Sequence, residues 1–514
     1  MSADATAGPH PRSEVVIGLD VGTTATKAVA FELGSAWRHV AVREYPLLAP
    51  HDGWKVQEPQ AIRTAVISAL SECVAALDDA PVVAVAVSTA MHGLIGLSEE
   101  LEPRTPLITW ADARSQDQAR GLRASDLAAD LHRTSGTPIH PMTPLTKLMW
   151  LGQHEPELVA SVRWWAGLKD FVLAALTDEV ATELSTASGT AMLDLSTRDW
   201  NPVAVKLAGI RLDQLPRVLP TTATLRLSDK AAQATGLPSG LPVVVGAGDG
   251  PLGNVGTGAI TPGVAGLSLG TSGAVRMLVP APYVDPGGRL FCYALTDTQW
   301  VIGGAVSNGG AIVRWAGDVF GQGLGTGSAP PDAELLELAA SVSPGSDGLF
   351  MLPYLLPERA PLWDPDLHGA YLNIQHSHTR AHFVRAAVEG VAFQLATVVE
   401  ALHRIRPVTS LRATGGALRS GLWRDVLAAA LARPLTVTAG AEGSALGVAA
   451  LGLVAMDRAA DLSEAIGALG PGKWATPVEV PVVASPDQIA YYRGVRASLP
   501  RLLSSYHAVA ALFA

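Results

Sequence analysis

Cysteine is nearly missing from this 514-residue chain: Cys73 and Cys292 lie far apart and in no CxxC spacing, so neither a disulfide framework nor a cysteine-built zinc site is indicated. Charge is also sparse. Only 16% of the residues are charged, the net charge is −10, and no Lys/Arg run occurs, which disfavours nonspecific nucleic-acid binding. No run is apolar enough for a good membrane helix, because residues 81–98 contain Pro81, His92 and several hydroxyls, and residues 250–275 contain eight glycines and two prolines. The opening MSADATAGPHPRSE lacks the apolar core of a signal peptide and reads as a short disordered leader. A GxxxxGK[ST] phosphate loop is absent as well. These absences lead us to expect a cytoplasmic protein with no membrane and no nucleic-acid partner.

What is present is ample apolar material. Hydrophobic residues make up 48% of the chain, and its length suits two domains of about 200–250 residues each. EVVIGLDV, a Gly-Thr-Thr turn and the alternating ATKAVAFE predict a β-hairpin with a polar tip. PVVAVAVS (81–88) and LPVVVGA (241–247) have the uninterrupted apolar character of buried parallel strands, and a helical pattern over 59–77 lies between them. This alternation predicts an α/β fold. A second hairpin, VAGLSLGTSGAVRML (264–278), repeats the first at a distance of 248 residues, with Ser268 in the place of Asp20. That spacing is right for a duplicated domain, with a boundary near 250–263. WVIGGAVSNGGAIVRWAG reads as strand, glycine turn and helix, and TSLRATGGALRSGLWRDVLAAALARPLTV as strand, Gly-Gly turn, helix and strand. The tail beyond about 457 is helical and Ala-rich, with the Pro-rich insert PGKWATPVEVPVVASP.

Several motifs have both a chemical and a purely structural reading. Gly22, Thr23 and Thr24 could cradle an anion with backbone N–H and hydroxyl groups, with Lys27 adding charge, or could simply form a turn. GAGDGPLG (246–253) contains GxGxxG, but the residues that follow are too rich in Gly and Pro to make the expected helix. Asp249, just past a buried strand, is either a general base or a turn residue. HSHTRAH places His376, His378 and His382 close together, as metal ligands or, with Arg380 and Arg385 among them, as polar caps of a helix entry. MHGLIG (91–96) follows directly after a strand ending at Ser88, with His92 either a satisfied histidine or a ligand contact, and ITWADARSQ brings Trp110, Asp112 and Arg114 together, as a polyol grip or as a core Trp with a surface ion pair.

In this order, the motifs resemble the FGGY family of carbohydrate kinases, of the actin/hexokinase/heat-shock ATPase superfamily. The likeness runs from about 15 to 455. GLDVGTTATKAV is similar to the family's first phosphate loop, SLGTSGAV to its second, and ATGGALRSGLWRDVLA to its adenosine-binding segment. GLFMLPYLLPERAPLWDPDLHGAYLNI and HTRAHFVRAAVEGVAFQL are similar to its C-terminal domain. Within the family, SGTPIHPMTPLTKLMWL, AMHGLIG and ITWADARS resemble gluconokinases most, apart from Gly93, where related sequences often carry Ser.

The resemblance implies two duplicated actin-like (ribonuclease H-like) ATPase domains with a cleft between them, over 14–255 and 262–456, followed by a helical tail over 457–514. It makes Asp249 the base that accepts the proton of the 6-hydroxyl of gluconate, Asp20 the holder of Mg²⁺, and ATP the phosphoryl donor. Gly22, Thr23, Thr24, Lys27, Gly270 and Thr271 would grip the phosphates, and Gly309, Gly415, Gly416 and Ser420 would floor the nucleotide. Met91, His92, Trp110, Asp112, His140, Met142 and Gly250 would line the sugar-acid pocket, with Arg114 or a histidine on its carboxylate. A homodimer is one open option for assembly. The rival readings are a xylulokinase or other polyol kinase, a chaperone-like ATPase of the same superfamily, and a dehydrogenase using the GxGxxG.

Overall fold

The computed structural model describes residues 13–321, 331–438, 442–470, 478–481 and 485–510. The leader before residue 13 and most of the Pro-rich insert lie outside the described residues.

The first hairpin forms as its pattern predicts. β1 (Val15–Val21) and β2 (Ala25–Glu32) pair antiparallel, with Asp20 opposite Lys27. β3 (Arg38–Glu44), β4 (Val82–Thr89), β5 (Thr224–Arg226) and β6 (Pro242–Gly248) complete a sheet of order β5–β6–β4–β1–β2–β3. β1, β4 and β6 run parallel, and both faces of each strand are covered, which is why they read as unbroken apolar runs. Ile17, Val85 and Val243 share one core with helices α1 (Pro59–Ala75) and α2 (Leu168–Thr177). Val16, Ala86 and Val244 point the other way, into a cluster continuous with the second domain.

The second sheet repeats this plan. β7 (Val264–Leu269) and β8 (Gly273–Val279) form the hairpin, followed by β9 (Phe291–Ala294), β10 (Trp300–Val306), β11 (Ser410–Thr414), β12 (Leu435–Val437) and β13 (Val478–Val480). Their order is β9–β10–β8–β7–β11–β12–β13, with β7, β11 and β12 parallel. Each sheet therefore has a central antiparallel hairpin flanked by two parallel strands reached through helical crossovers. The duplicated α/β architecture expected from the 248-residue repeat is present.

One expectation is overturned. Directly after β6 the chain does form a helix, α3 (Asp249–Gly256), despite its glycines and Pro251. Pro251 sits in the first turn, where a missing N–H costs no helical bond. The glycines serve a helix crossing instead. α3 packs across α7 (Gly443–Ala455), the helix after α6 (Gly421–Leu431), and a Cβ at Gly256 would lie 1.9 Å from the Gly443 carbonyl oxygen, one at Gly447 2.1 Å from that of Leu252. Close packing offsets the low helix propensity.

α5 (Arg380–Ile405), preceded by α4 (Ala311–Phe320), is long and apolar enough to cross a membrane by length and composition, but 83% of its apolar window is buried inside the fold. It is a core helix. Its entry explains HSHTRAH: Thr379 N–H donates to His382 Nδ1 at 3.2 Å, and His382 Nε2 lies 3.1 Å from Asp347 Oδ2. Among the described residues no group of three His, Cys, Asp or Glu could hold a metal.

Candidate active site

At its C-terminal end β6 carries a β-bulge. The pairing with β4 shifts register between Val244 and Ala247, and Gly246 adopts a φ of +73°, which favours glycine. The buried Lys169 of α2 fastens this bulge, its Nζ donating to the carbonyls of Val87, Val245 (2.7 Å) and Ala247 (3.1 Å). The next turn delivers Asp249 to the first position of α3, where its Oδ1 accepts the Gly250 N–H at 2.7 Å.

Asp249 opens into a cavity of about 230 Å³ between the two sheets. A cavity of this volume has room for several waters or a small polyol. Met91, His92, Trp110 and Met142 come to it from the first domain, with Thr23 and Gly250. Five of the expected pocket residues therefore meet the expected base. His92 has a φ of +65°, and its Nδ1 lies 2.7 Å from the Gly189 carbonyl. Burial pulls its pKa down to about 3, so the ring is neutral, Nδ1 carries the proton and Nε2 is an acceptor. Trp110 Nε1 donates to Thr23 Oγ1 at 2.9 Å, tying the first hairpin tip to the pocket wall.

The carboxylates are tuned by burial. Asp20 accepts the Ser88 hydroxyl at 2.8 Å, and burial, reinforced by the charge of Asp249, raises its pKa to about 6. Burial likewise holds Asp249 above the ordinary carboxylate range, opposed mainly by the guanidinium of Arg276. Among the described residues no group of three metal-ligating side chains forms, which fits the way Mg²⁺ is held, by one or two carboxylates plus water and phosphate oxygens.

The second hairpin tip separates this cavity from a larger one. Ser272 faces the small cavity, whereas Gly270 and Thr271 face a cavity of about 850 Å³ that Gly416 and Ser420 also line. Gly309 and Gly415 stand behind these surfaces. Gly309 N–H donates to Thr271 O at 3.1 Å, and Gly415, at a φ of +125°, passes so close to β7 that a Cβ would lie 2.2 Å from Leu269 O. They shape the loops, and their neighbours Gly310 and Gly416 line the cavity. In the first tip, Gly22 N–H closes the turn on Ala25 O at 2.9 Å, Thr24 is exposed, and Lys27 acts on Asp20 electrostatically.

Three expected pocket residues are occupied elsewhere. Asp112 accepts from Lys55 N–H at 2.7 Å and from Arg114 Nε and Nη2, both at 2.8 Å. Arg114 in turn lies over the Trp54 ring, 3.5 Å from its centroid. The pair satisfies itself, as the ion-pair alternative for WADAR has it, though buried rather than at the surface, and does not line the cavity, whereas Trp110 does. His140 Nε2 lies 3.2 Å from Glu358 O and its Nδ1 accepts from Met142 N–H at 3.2 Å, so both ring nitrogens are used in holding the loop that presents Met142.

Sequence reading missed the opposite wall. Arg276, Tyr293 and Arg359 reach the cavity from β8, β9 and the loop that follows the short strand Phe350–Leu352. Arg276 was in plain view within GTSGAVRM, two residues past the cavity-lining Ala274, and strand alternation puts both on one face. Nothing local marks Tyr293, Arg359 or Lys169.

The sequence pattern of the FGGY family of carbohydrate kinases matches residues 15–256 for the N-terminal domain and 265–456 for the C-terminal domain. The gluconokinase of Bacillus subtilis (strain 168) is 38% identical over 473 residues, 90% of this chain and 92% of that protein. The solved gluconate kinase of Lactobacillus acidophilus is 30% identical with a TM-score of 0.89, covering 98% of this chain and all of that one. A ligand-bound xylulose kinase from the same organism gives the same identity, coverage and TM-score. The chain belongs to the FGGY family of carbohydrate kinases.

Proposed function

We propose that this carbohydrate kinase transfers the γ-phosphoryl group of ATP to the primary hydroxyl of D-gluconate, giving 6-phospho-D-gluconate, with Asp249 as base. The observation that carries this reading is the position of Asp249 in a sugar-sized cavity, across one three-residue hairpin tip from a nucleotide-sized cavity. The relatives named as gluconokinases support gluconate over a neutral sugar.

The ionised Asp249 orients the acceptor hydroxyl and accepts its proton as the phosphoryl group arrives. His92, neutral, takes a hydrogen bond from a substrate hydroxyl, and Trp110 covers an apolar face of the carbon chain. Gly270 and Thr271 hold phosphate from one side, and Gly22, Thr23 and Thr24 from the other. Phosphoryl transfer needs positioning and charge neutralisation more than covalent help, and a cleft between two domains supplies both while excluding water. Mg²⁺, when bound to the ATP phosphates, neutralises their charge, and Asp20 is the residue to hold it through water.

Replacing Asp20 by Ala is expected to raise the Mg²⁺ concentration needed for half-maximal rate by about tenfold or more. A titration of rate against Mg²⁺ at fixed ATP checks it, and an unchanged dependence removes Asp20 from that role. The substrate is tested by ADP release with gluconate, xylulose, glycerol, ribulose and fuculose as acceptors. Gluconate is expected to give the highest kcat/KM. A preference for xylulose, favoured by the equal likeness to the solved xylulose kinase, would replace gluconate in this reading and leave the kinase chemistry intact.

A further inference from the structure

The wall of the acceptor cavity that the second domain contributes carries Arg276, Tyr293 and Arg359. Arg276 makes one side-chain hydrogen bond, from Nη1 to Ser268 Oγ at 3.2 Å, and its Nε is buried without a partner. The Tyr293 hydroxyl is likewise buried without a partner. Arg359 spends Nε on Ser307 Oγ and Nη2 on Val306 O, both at 3.1 Å, and its guanidinium lies 4.7 Å above the Trp110 ring. Among the described residues, neither arginine has a carboxylate within the 4.0 Å of an ion pair.

The nearby acids do not balance this charge. Glu358 is fastened by Gln394 and by Asn308 Nδ2 at 3.4 Å, and burial pushes its pKa up to about 8, so it is largely neutral at pH 7. Asp249 is the carboxylate that acts on both guanidiniums, and the acceptor hydroxyl needs it. Two cations therefore face one anion. The hairpin repeat sharpens the point: at the place equivalent to Asp20 stands Ser268, whose hydroxyl orients Arg276 without cancelling its charge. An acid there would close the guanidinium in an ion pair, as Asp112 does for Arg114.

We propose that Arg276, supported by Tyr293 and Arg359, binds the carboxylate of the sugar acid and so selects an anionic acceptor over a neutral sugar. This inference rests on the gluconate reading above. A guanidinium presents parallel donors to a carboxylate, a geometry that an uncharged hydroxymethyl group cannot exploit. Burial with one surplus positive charge is unfavourable with a neutral pentulose and is relieved by a monoanion. The transferring phosphoryl group is also anionic, so the test separates the two.

Binding of sodium D-gluconate and of D-glucitol, its neutral analogue with CH₂OH in place of the carboxylate, is measured by calorimetry without nucleotide, alongside KM for Mg·ATP. Arg276→Met is expected to weaken gluconate about 100-fold, as loss of a charge-assisted bidentate pair does, with glucitol and KM for Mg·ATP within about threefold of wild type. Arg276→Lys should fall between, because a lysine keeps the charge without the fork. Tyr293→Phe, which keeps the ring that stacks on Phe291, should weaken gluconate about five- to tenfold and serves if Arg276→Met does not fold. A parallel loss of gluconate and glucitol, or a raised KM for Mg·ATP with gluconate unaffected, overturns the subsite and places Arg276 at the phosphoryl group. Gluconate turnover by wild type with unchanged affinity in both variants overturns the subsite alone. Wild type that ignores gluconate and phosphorylates xylulose overturns the substrate reading, and the subsite with it.

Discussion

Asp249→Asn is expected to lower sugar phosphorylation by about 10³-fold or more while Mg·ATP still binds within a few-fold of wild type. General-base catalysis contributes roughly 10²–10⁴. The amide oxygen of Asn can still accept the Gly250 N–H, which Asp249 Oδ1 takes at 2.7 Å, so α3 keeps its first turn and the change is confined to proton acceptance. Asp249→Ala should lose as much turnover. The pH profile gives a second handle. The base works ionised, and burial raises its pKa, so activity is present above that pKa and is lost as pH falls through it. The acid limb of kcat/KM should therefore lie above the ordinary carboxylate range, and it should vanish in Asp249→Asn. ADP release against pH, with calorimetry of an unreactive ATP analogue, checks both. Turnover near wild type in either variant would end the assignment of Asp249 as base.

The second large effect concerns stability. Gly447→Ala is expected to destabilise the protein by about 3 kcal/mol, because its Cβ would lie 2.1 Å from the carbonyl oxygen of Leu252. That atom is backbone, so no rotamer change relieves the clash. α3 and α7 must move apart, and with α3 goes Asp249, so kcat should fall together with stability. Gly256→Ala should behave alike, its Cβ lying 1.9 Å from Gly443 O. Gly121→Ala, in the helix Gln116–Arg123 with nothing within 4 Å of its Cβ, is the control and should be neutral or stabilising by about 0.5–1 kcal/mol. Urea unfolding midpoints of the three variants decide the matter. Equal midpoints for Gly447→Ala and Gly121→Ala would show that the crossing tolerates a methyl group.

These glycines show where sequence reasoning failed. Helix propensity is a local quantity, and by that measure DGPLGNVG is a poor helix. The partner that makes it one, α7, lies about two hundred residues away in sequence, in the half of the chain that otherwise builds the second domain. WADAR failed in another way. Trp, Asp and Arg within five residues are compatible with gripping a polyol together or with an ion pair beside the Trp, and only the arrival of Lys55 N–H and the Trp54 ring at the same spot takes Asp112 and Arg114 away from the cavity that Trp110 lines. Arg276 was legible by strand alternation, since it shares a face with Ala274 of the glycine hairpin.

The sequence by itself determined the strands and the duplication. Period-two and unbroken apolar runs specify the strands, and the repeated Gly-Thr hairpin specifies the duplication, because each of these is written in neighbouring residues. Only the tertiary structure decided which polar side chains are free to meet a ligand. Asp112, Arg114 and His140 are spent on contacts from distant segments, while Arg276, Tyr293 and Arg359 converge from three elements onto one cavity with donors left over. Whether a polar group is satisfied depends on everything packed around it, and that is settled when the two sheets close on each other rather than along the chain.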